Sequence, residues 1–78
     1  MLELYQFERC PFCAKVRQRL TELDIDYIVR NVPPGSPKRE KLRELGGKEQ
    51  VPFLVDESRG VSMYESEDII AYLEEHYG

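Results

Sequence analysis

The chain has 78 residues with a formal net charge of −4, a length that fits one compact domain able to fold without a metal or disulfide scaffold. The acidic balance argues against nucleic acid binding, because phosphate backbones require a positively charged face. No apolar run approaches the roughly 20 residues that cross a bilayer, and residues 1–7 lack the basic and apolar segments of a signal peptide. We therefore expect a soluble, cytoplasmic protein with a single domain spanning residues 1–78, which binds neither membranes nor nucleic acid.

The first half of the chain predicts a strand, a helix and a second strand. The signals are a β-prone run at 2–7, helical spacing of Val16, Leu20 and Leu23 after Pro11, and a β-type run at 27–32 that ends at Pro33-Pro34-Gly35. A strand, helix and parallel strand form a right-handed crossover. This half therefore predicts a βαβ unit.

The second half predicts a short helix, a hairpin and a last helix. Ser36 fits an N-cap with Pro37 in the first turn, and Gly46-Gly47 supplies the stop. The strands 53–55 and 61–64 are separated by a loop suited to an antiparallel hairpin, and Ser66 is predicted to cap the final helix. The chain is therefore predicted to be an α/β protein of order βαβαββα, with a mixed four-stranded sheet flanked by helices.

Cys10 and Cys13 are the residues most suited to chemistry. Cys10 is predicted at the N-cap of the first helix, with Pro11 at the first helical position. Free backbone amides, the helix dipole and nearby Arg9 would favour a thiolate on Cys10, which is the nucleophilic form of a cysteine. Cys13 lies one turn later and deeper, at a separation that suits a disulfide. We predict that Cys10 attacks and that Cys13 resolves.

A zinc site is the main alternative use of a cysteine pair. Structural zinc takes four ligands, and this chain has no second cysteine pair, while its single histidine, His76, lies near the far end of the sequence. Two incidental core cysteines are a further alternative, although a pair at a strand-to-helix junction is where redox cysteines occur. No metal site is predicted.

Two further segments predict a ligand site. Val51-Pro52 precedes a strand, and we interpret it as a cis peptide that leaves the Val51 backbone free to pair with an extended ligand; an ordinary trans-proline is the alternative. Glu65-Ser66 begins the last helix, where free amides could bind a carboxylate and Glu65 an ammonium group. Serine in this position is also often only a cap.

The motif Cys10-Pro11-Phe12-Cys13 between a strand and a helix resembles that of the glutaredoxins. The segment 47–54 (Gly-Lys-Glu-Gln-Val-Pro-Phe-Leu) and Glu65-Ser66 are similar to the N-terminal, glutathione-binding domain of glutathione transferases. The two resemblances together span nearly the whole chain. Both families share the thioredoxin fold, so the resemblance implies a thioredoxin-like fold here.

The resemblance implies that glutathione is the reducing co-substrate. Val51, preceding Pro52, would pair with its cysteinyl part, Glu65-Ser66 would hold the γ-glutamyl head, and Lys48 and Gln50 would meet the glycyl carboxylate. Arg9 and Phe12, on either side of Cys10-Pro11, complete the predicted binding residues. Phe12 replaces the tyrosine of many glutaredoxins, and we expect no second helical domain of the transferase kind.

The predicted function is glutathione-dependent reduction of protein disulfides and glutathione mixed disulfides by a monomer. The expected partners are glutathione and proteins that carry disulfides or bound glutathione. Three alternatives remain open from the sequence: a thioredoxin-like reductase that does not use glutathione, a glutathione-ligated [2Fe-2S] carrier that uses Cys10, and a transferase-like module that docks on a helical partner.

Overall fold

The computed structural model describes all residues, 1–78. Its elements are β1 (Leu2–Gln6), α1 (Pro11–Glu22), β2 (Tyr27–Asn31), α2 (Arg39–Gly46), β3 (Phe53–Asp56), β4 (Val61–Tyr64) and α3 (Ser66–Tyr77), with a 3-10 turn at Glu57–Arg59 inside the hairpin. The predicted order βαβαββα is confirmed. None of the helices is both long and apolar enough to cross a bilayer.

The four strands form one mixed sheet in the order β2-β1-β3-β4. β1 is parallel to β2 and antiparallel to β3, with Tyr5 opposite Phe53. β4 is antiparallel to β3 and places Tyr64 opposite Phe53 as well. The segments that follow β1 and β4 and the segment that precedes β3 therefore all lie at the same end of the strands. We call this the cysteine end of the sheet.

The larger core lies between the sheet and the helices α1 and α3. Alternate strand residues Leu2, Leu4 and Leu54 point to this face, because successive strand side chains alternate between faces. α1 contributes Val16 and Leu20, and α3 contributes Ile69 and Leu73, each pair spaced four residues apart on one helix face. Burying each such side chain contributes about 1.5 to 3 kcal/mol. This packing fixes the starts of both helices at the cysteine end.

A smaller core lies on the other face of the sheet, under α2. It contains Tyr5, Val32, Leu42 and Phe53. Leu42 is the only buried residue of α2, so this helix is held by one apolar side chain and leaves part of the sheet face uncovered.

The predicted start of α2 is wrong. Ser36 is not its N-cap, because the helix begins at Arg39 and Lys38 occupies the cap position. Instead, the Ser36 hydroxyl accepts from the Lys38 amide at 3.2 Å, and its carbonyl accepts from the Arg39 amide at 3.1 Å. Ser36 thus closes a separate turn before the helix. The predicted stop is confirmed, since α2 ends at Gly46 and Gly47 is left-handed with φ 90°.

Candidate functional site

Cys10 lies at the N-cap of α1, and Pro11 is the first helical residue, as the sequence predicts. The Cys10 sulfur accepts a hydrogen bond from the backbone N–H of Cys13 at 3.2 Å. The first amides of a helix have no partner inside the helix, so the sulfur satisfies one of them. It also lies at the positive end of the helix dipole, where negative charge is favoured.

Both cysteine side chains are buried, and Cys13 is the deeper of the two, 0% exposed against 5% for Cys10. The burial of Cys13, together with the hydrogen bond and charge of Cys10, raises the pKa of Cys13 to about 12. Both cysteines are free thiols in the structure. Cys13 therefore keeps its proton at neutral pH, and Cys10 is the member of the pair placed to react first.

The peptide bond between Val51 and Pro52 is cis, as the sequence predicts. Neither the N–H nor the carbonyl of Val51 forms a backbone hydrogen bond within the protein. An extended ligand could use both groups in the manner of an added strand.

A cavity of about 370 Å³ joins the three segments at the cysteine end. Its lining residues are Phe12, Gln50, Val51, Pro52, Glu65, Ser66 and Glu67. Six of the eight predicted ligand residues therefore line the same cavity. Because Phe12 belongs to the first turn of α1, the cavity adjoins the cysteine motif.

Two predicted ligand residues do not line the cavity. Arg9 is exposed in the turn before α1. The Lys48 ammonium lies 5.6 Å from the centre of the Tyr64 ring. The roles predicted for these two side chains stay predictions.

The start of α3 differs from the prediction in one respect. Ser66 is not the N-cap but the first residue of the helix, and Glu65 occupies the cap position with φ 72°. The physical reason is that the Glu65 carbonyl accepts the first intrahelical bond, from the Ile69 amide at 3.0 Å. The Glu65 side chain does not cap the helix, because it accepts a hydrogen bond from Gln50 Nε2 at 2.9 Å.

This arrangement gives the cavity both kinds of charge-binding group. The amides of Ser66, Glu67 and Asp68 precede the first intrahelical bond, so they remain available as donors. Glu65 and Glu67 supply carboxylates on the same side. Amide donors beside carboxylates suit a ligand head that carries a carboxylate and an ammonium group.

Sequence reasoning missed two residues at this site. Glu67 lines the cavity and forms an ion pair with Lys15 of α1 at 3.5 Å; its position beside Ser66 was the available signal. Tyr64 holds the loop before Gln50, since its hydroxyl donates to the Lys48 carbonyl at 2.8 Å and accepts from the Lys48 amide at 3.1 Å. No local pattern in the sequence indicates these long-range bonds.

A mixed sheet of order β2-β1-β3-β4, a cysteine pair at the start of α1 and a cis-proline before β3 define a thioredoxin-like fold, as predicted. The chain belongs to the family described as the glutathione S-transferase N-terminal domain, whose model matches residues 4–78.

A curated relative carries the glutaredoxin resemblance. The chain is 32% identical over 54 residues to an uncharacterized glutaredoxin-like 8.6 kDa protein of the rubredoxin operon of Clostridium pasteurianum, covering 69% of this chain and 72% of that protein. The resemblance to both families, predicted from the two motifs, is confirmed.

Solved glutathione transferases have the same fold over the whole chain. Glutathione transferase E6 from Drosophila melanogaster superposes with a TM-score of 0.89 at 29% identity, covering 100% of this chain and 36% of that one. A transferase from the Antarctic clam Laternula elliptica gives 0.86 at 33% identity, covering 97% and 35%. A homologue from Drosophila mojavensis, solved with bound glutathione, gives 0.88 at 25% identity, covering 99% and 35%. The chain thus spans about a third of the length of these transferases.

Proposed function

We propose that the protein is a glutathione-dependent thiol-disulfide oxidoreductase of the glutaredoxin type, acting in the cytoplasm as a monomer. The observation that carries the proposal is the asymmetry of the cysteine pair. Both side chains are buried, but the Cys10 sulfur lies at the helix N-cap and accepts a hydrogen bond from the Cys13 amide, whereas the pKa of Cys13 is raised to about 12. One thiol is placed to attack and the other is held in reserve, as disulfide exchange by a dithiol requires.

In the proposed main reaction, the Cys10 thiolate attacks the glutathione sulfur of a protein-glutathione mixed disulfide. The sulfur-sulfur bond breaks, the protein leaves as its thiolate, and glutathione remains bound to Cys10 through a new disulfide. The thiolate of a second glutathione then attacks the glutathione sulfur of that disulfide. This step releases oxidised glutathione and returns Cys10 as a thiolate.

Protein disulfides follow a second route. Cys10 attacks one sulfur of the substrate and forms a mixed disulfide with the target protein. Cys13 loses its proton and attacks the Cys10 sulfur, so that the target leaves reduced and Cys10 and Cys13 are joined. Two glutathione molecules then reduce this bridge and are themselves oxidised. Because the pKa of Cys13 is raised, we expect this route to be slower at neutral pH than the route through Cys10 alone.

The cavity at the cysteine end supports glutathione as the partner. Val51 offers a free N–H and carbonyl for the peptide-like middle of glutathione, and the start of α3 offers amides and carboxylates for its γ-glutamyl head. Membership of the transferase N-terminal domain family and the glutathione-bound homologue point the same way.

The test is turnover of a glutathione mixed disulfide by the purified protein, coupled to glutathione reductase. A parallel assay measures insulin reduction coupled to thioredoxin reductase. We expect activity in the first assay and at most slow activity in the second. Activity in the insulin assay alone would show a thioredoxin-like reductase and would refute the glutathione site.

Two serine variants test the division of labour between the cysteines. Cys10→Ser removes the attacking sulfur and is expected to abolish activity on every substrate. Cys13→Ser is expected to retain most of the activity on glutathione mixed disulfides and to lose reduction of protein disulfides. Equal losses in the two variants would contradict the proposed roles.

Conjugation of glutathione to an electrophile is the second candidate function, because the family match is to a transferase domain. A chlorodinitrobenzene assay distinguishes the two. Conjugation that persists in Cys10→Ser, without turnover of mixed disulfides by the unmodified protein, would replace the oxidoreductase proposal with a transferase one.

A further inference from the structure

Arg39 connects three segments that meet at the cysteine end of the sheet. It is the first residue of α2, and it is half-buried. Its Nε donates to the Val32 carbonyl at 3.0 Å, just after β2, and its Nη1 donates to the Glu49 carbonyl at 2.7 Å, before β3. Its guanidinium carbon lies 5.8 Å from the centre of the Phe7 ring, in the segment between β1 and Cys10. One side chain therefore contacts the segments that follow β1 and β2 and the segment that precedes β3.

The hydrogen-bond partners of the Arg39 guanidinium are backbone carbonyls rather than carboxylates. None of the ion pairs of the protein includes Arg39. Hydrogen bonds from a charged donor are roughly twice as strong as neutral ones, and the planar guanidinium fixes the directions of its donors. Because a carbonyl belongs to the main chain, these two bonds fix the backbone at Val32 and Glu49 relative to α2.

Arg39 is one of three side chains that hold residues 48–50, the segment before Val51. The other two are Tyr64 and Glu65, which bond to the first and the last residue of this segment. Arg39 differs from them because its guanidinium also lies over a ring in the segment before the cysteine motif. The position of the Val51 backbone relative to the attacking sulfur therefore depends on Arg39.

We propose that Arg39 is a positioning residue, which holds the Val51 backbone where it aligns the sulfur of a bound glutathione mixed disulfide with the Cys10 sulfur. This inference rests on the proposed glutathione-dependent function. Arg39 does not line the cavity at the cysteine end, so it acts through the backbone and not by binding glutathione itself. Placement of the reacting atoms has a large effect on rate, since an error of about 1 Å can cost about a hundredfold.

Arg39→Met tests the proposal, because methionine keeps an apolar stem and removes both hydrogen bonds to the carbonyls. We expect kcat/KM for a glutathione mixed disulfide to fall about tenfold. Alkylation of Cys10 by iodoacetamide requires no bound glutathione, so its rate should change by less than about twofold. Arg39→Lys keeps the charge but not the planar set of donors, and it should lose nearly as much activity as Arg39→Met.

Lys41→Met is the matched control. Lys41 is exposed on the same helix, belongs to none of the ion pairs of the protein, and loses the same charge in this variant. Its kcat/KM should equal that of the unmodified protein. A thermal unfolding curve for each variant verifies that the comparison is made between folded proteins.

A second measurement requires no turnover and no ligand. NMR relaxation of the backbone amides reports how well residues 48–51 are ordered on the fast timescale. In the unmodified protein and in Lys41→Met these amides should have order parameters of about 0.85, whereas in Arg39→Met the values should fall toward about 0.6.

The outcomes distinguish this proposal from the proposed function. If the unmodified protein does not turn over the mixed disulfide, the function is refuted, and the order parameters alone decide whether Arg39 holds the segment. Equal kcat/KM values or equal order parameters of Arg39→Met and Lys41→Met would overturn the proposal. Full activity in Arg39→Lys would overturn it as well, because the charge alone would then be sufficient. An equal fall in the alkylation of Cys10 would show damage to the cysteine motif instead of a lost alignment.

Discussion

Cys10 and Cys13 are three positions apart and are both buried, yet their sulfurs have different surroundings. Cys10 ends an extended segment and meets a free helix amide, whereas Cys13 already points into the protein beneath the helix and is completely buried. The difference follows from helix geometry, because Cys10 precedes the first helical residue, whereas Cys13 shares the buried face of α1 with Val16 and Leu20. Single residues thus acquire their roles from where one helix begins.

The raised pKa of Cys13 predicts its reactivity toward iodoacetamide. At about pH 8 one thiol per native chain should be alkylated readily and the second only after denaturation, because the thiolate is the reactive form. As the pH rises toward the Cys13 pKa of about 12, labelling of the second thiol should increase steadily. Mass spectrometry counts the labels.

The control for this measurement is Cys10→Ser, which should be almost unreactive at about pH 8 because only the protonated Cys13 remains. Rapid labelling of Cys13 in that variant would show that its environment does not suppress ionisation.

The residue-scale features of the motif could be predicted from sequence because their causes are local. A cysteine followed by proline fits an N-cap and first-turn pair wherever a helix starts, and the position of Cys13 follows from the same helical spacing. Glu67 could not be assigned in the same way. Its place in the cavity depends on how α3 meets the segment before β3, which belongs to another part of the chain.

The start of α3 shows how one element carries both strain and function. Glu65 has φ 72° although it is not glycine, and such backbone conformations cost about 1 to 3 kcal/mol. Its carboxylate holds Gln50, which places the segment before Pro52 beside the helix. Glu65 is therefore the residue with the strained backbone and also the residue that holds two walls of the cavity together.

We expect Glu65→Gly to stabilise the fold while weakening the site. Glycine removes the strain of about 1 to 3 kcal/mol at positive φ, which exceeds its own entropic cost of about 0.5 to 1 kcal/mol and the lost hydrogen bond to Gln50 of about 0.5 kcal/mol. The free energy of unfolding should therefore rise by a little less than about 1 kcal/mol. The KM for a glutathione mixed disulfide should rise about fivefold, because the bond to Gln50 is lost. Urea unfolding and steady-state kinetics measure the two effects.

Glu65→Gln is the matched variant for this experiment. It removes the charge but keeps the backbone conformation, so the KM should rise without a gain in stability. A loss of stability in Glu65→Gly would show that the conformation at this position is not strained.

The two helix starts that were mispredicted share one cause. Ser36 and Ser66 both have the composition of N-caps, yet Ser36 closes a turn before α2 and Ser66 lies inside α3. Composition indicates that a helix begins nearby, whereas the exact residue depends on which carbonyl accepts the first intrahelical bond. That choice is made by tertiary contacts, such as the bond between Gln50 and Glu65.

At the scale of the whole molecule, one end of the sheet carries the candidate site and the other end attaches the last helix. The cysteine end carries the motif and the cavity, while the opposite end is held by Asp56. This carboxylate is buried and accepts hydrogen bonds from the hydroxyls of Tyr72 at 2.6 Å, Tyr77 at 2.7 Å and Ser58 at 2.7 Å. These bonds attach the last two turns of α3 to the end of β3 that lies opposite the cysteine end.

Asp56 predicts the acid sensitivity of the fold. Burial alone opposes its ionisation, but the hydrogen bonds from Tyr72, Tyr77 and Ser58 and the nearby Arg59 lower the pKa of Asp56 from 3.8 to about 2. A carboxyl whose pKa is lower in the folded state stabilises the fold above its unfolded pKa. This contribution of about 2 kcal/mol should disappear as the pH falls from about 4 through about 2.

The test compares Asp56→Asn with the exposed control Asp26→Asn by chemical unfolding at several pH values. Asp56→Asn should lose about 2 kcal/mol near neutral pH, a fall in Tm of about 10 °C for a domain of this size, and the difference should shrink toward about pH 2. Asp26→Asn should change stability little. A pH-independent loss in Asp56→Asn would show that shape, rather than charge, is responsible.

This network marks the limit of what the sequence could predict about the whole fold. The element order follows from hydrophobic periodicity and from proline and glycine positions, and the sheet follows from the crossover and hairpin rules. By contrast, nothing local in the sequence indicates that the hydroxyls of Tyr72 and Tyr77 meet a carboxylate earlier in the chain. The uncovered part of the sheet beside α2 could not be predicted from the sequence either, because it depends on which sheet residues this short helix leaves uncovered.

The path of α3 offers a practical use. Its 12 residues extend about 18 Å, from Ser66 at the cavity to Tyr77 beside Asp56. One helix therefore connects the cysteine end of the sheet to the end held by Asp56. A fluorescent reporter joined beyond Tyr77 would stand clear of incoming substrates while remaining mechanically coupled to the cavity wall. A reporter attached at this end of α3 could therefore convert the domain into an optical sensor of the redox state of its thiols.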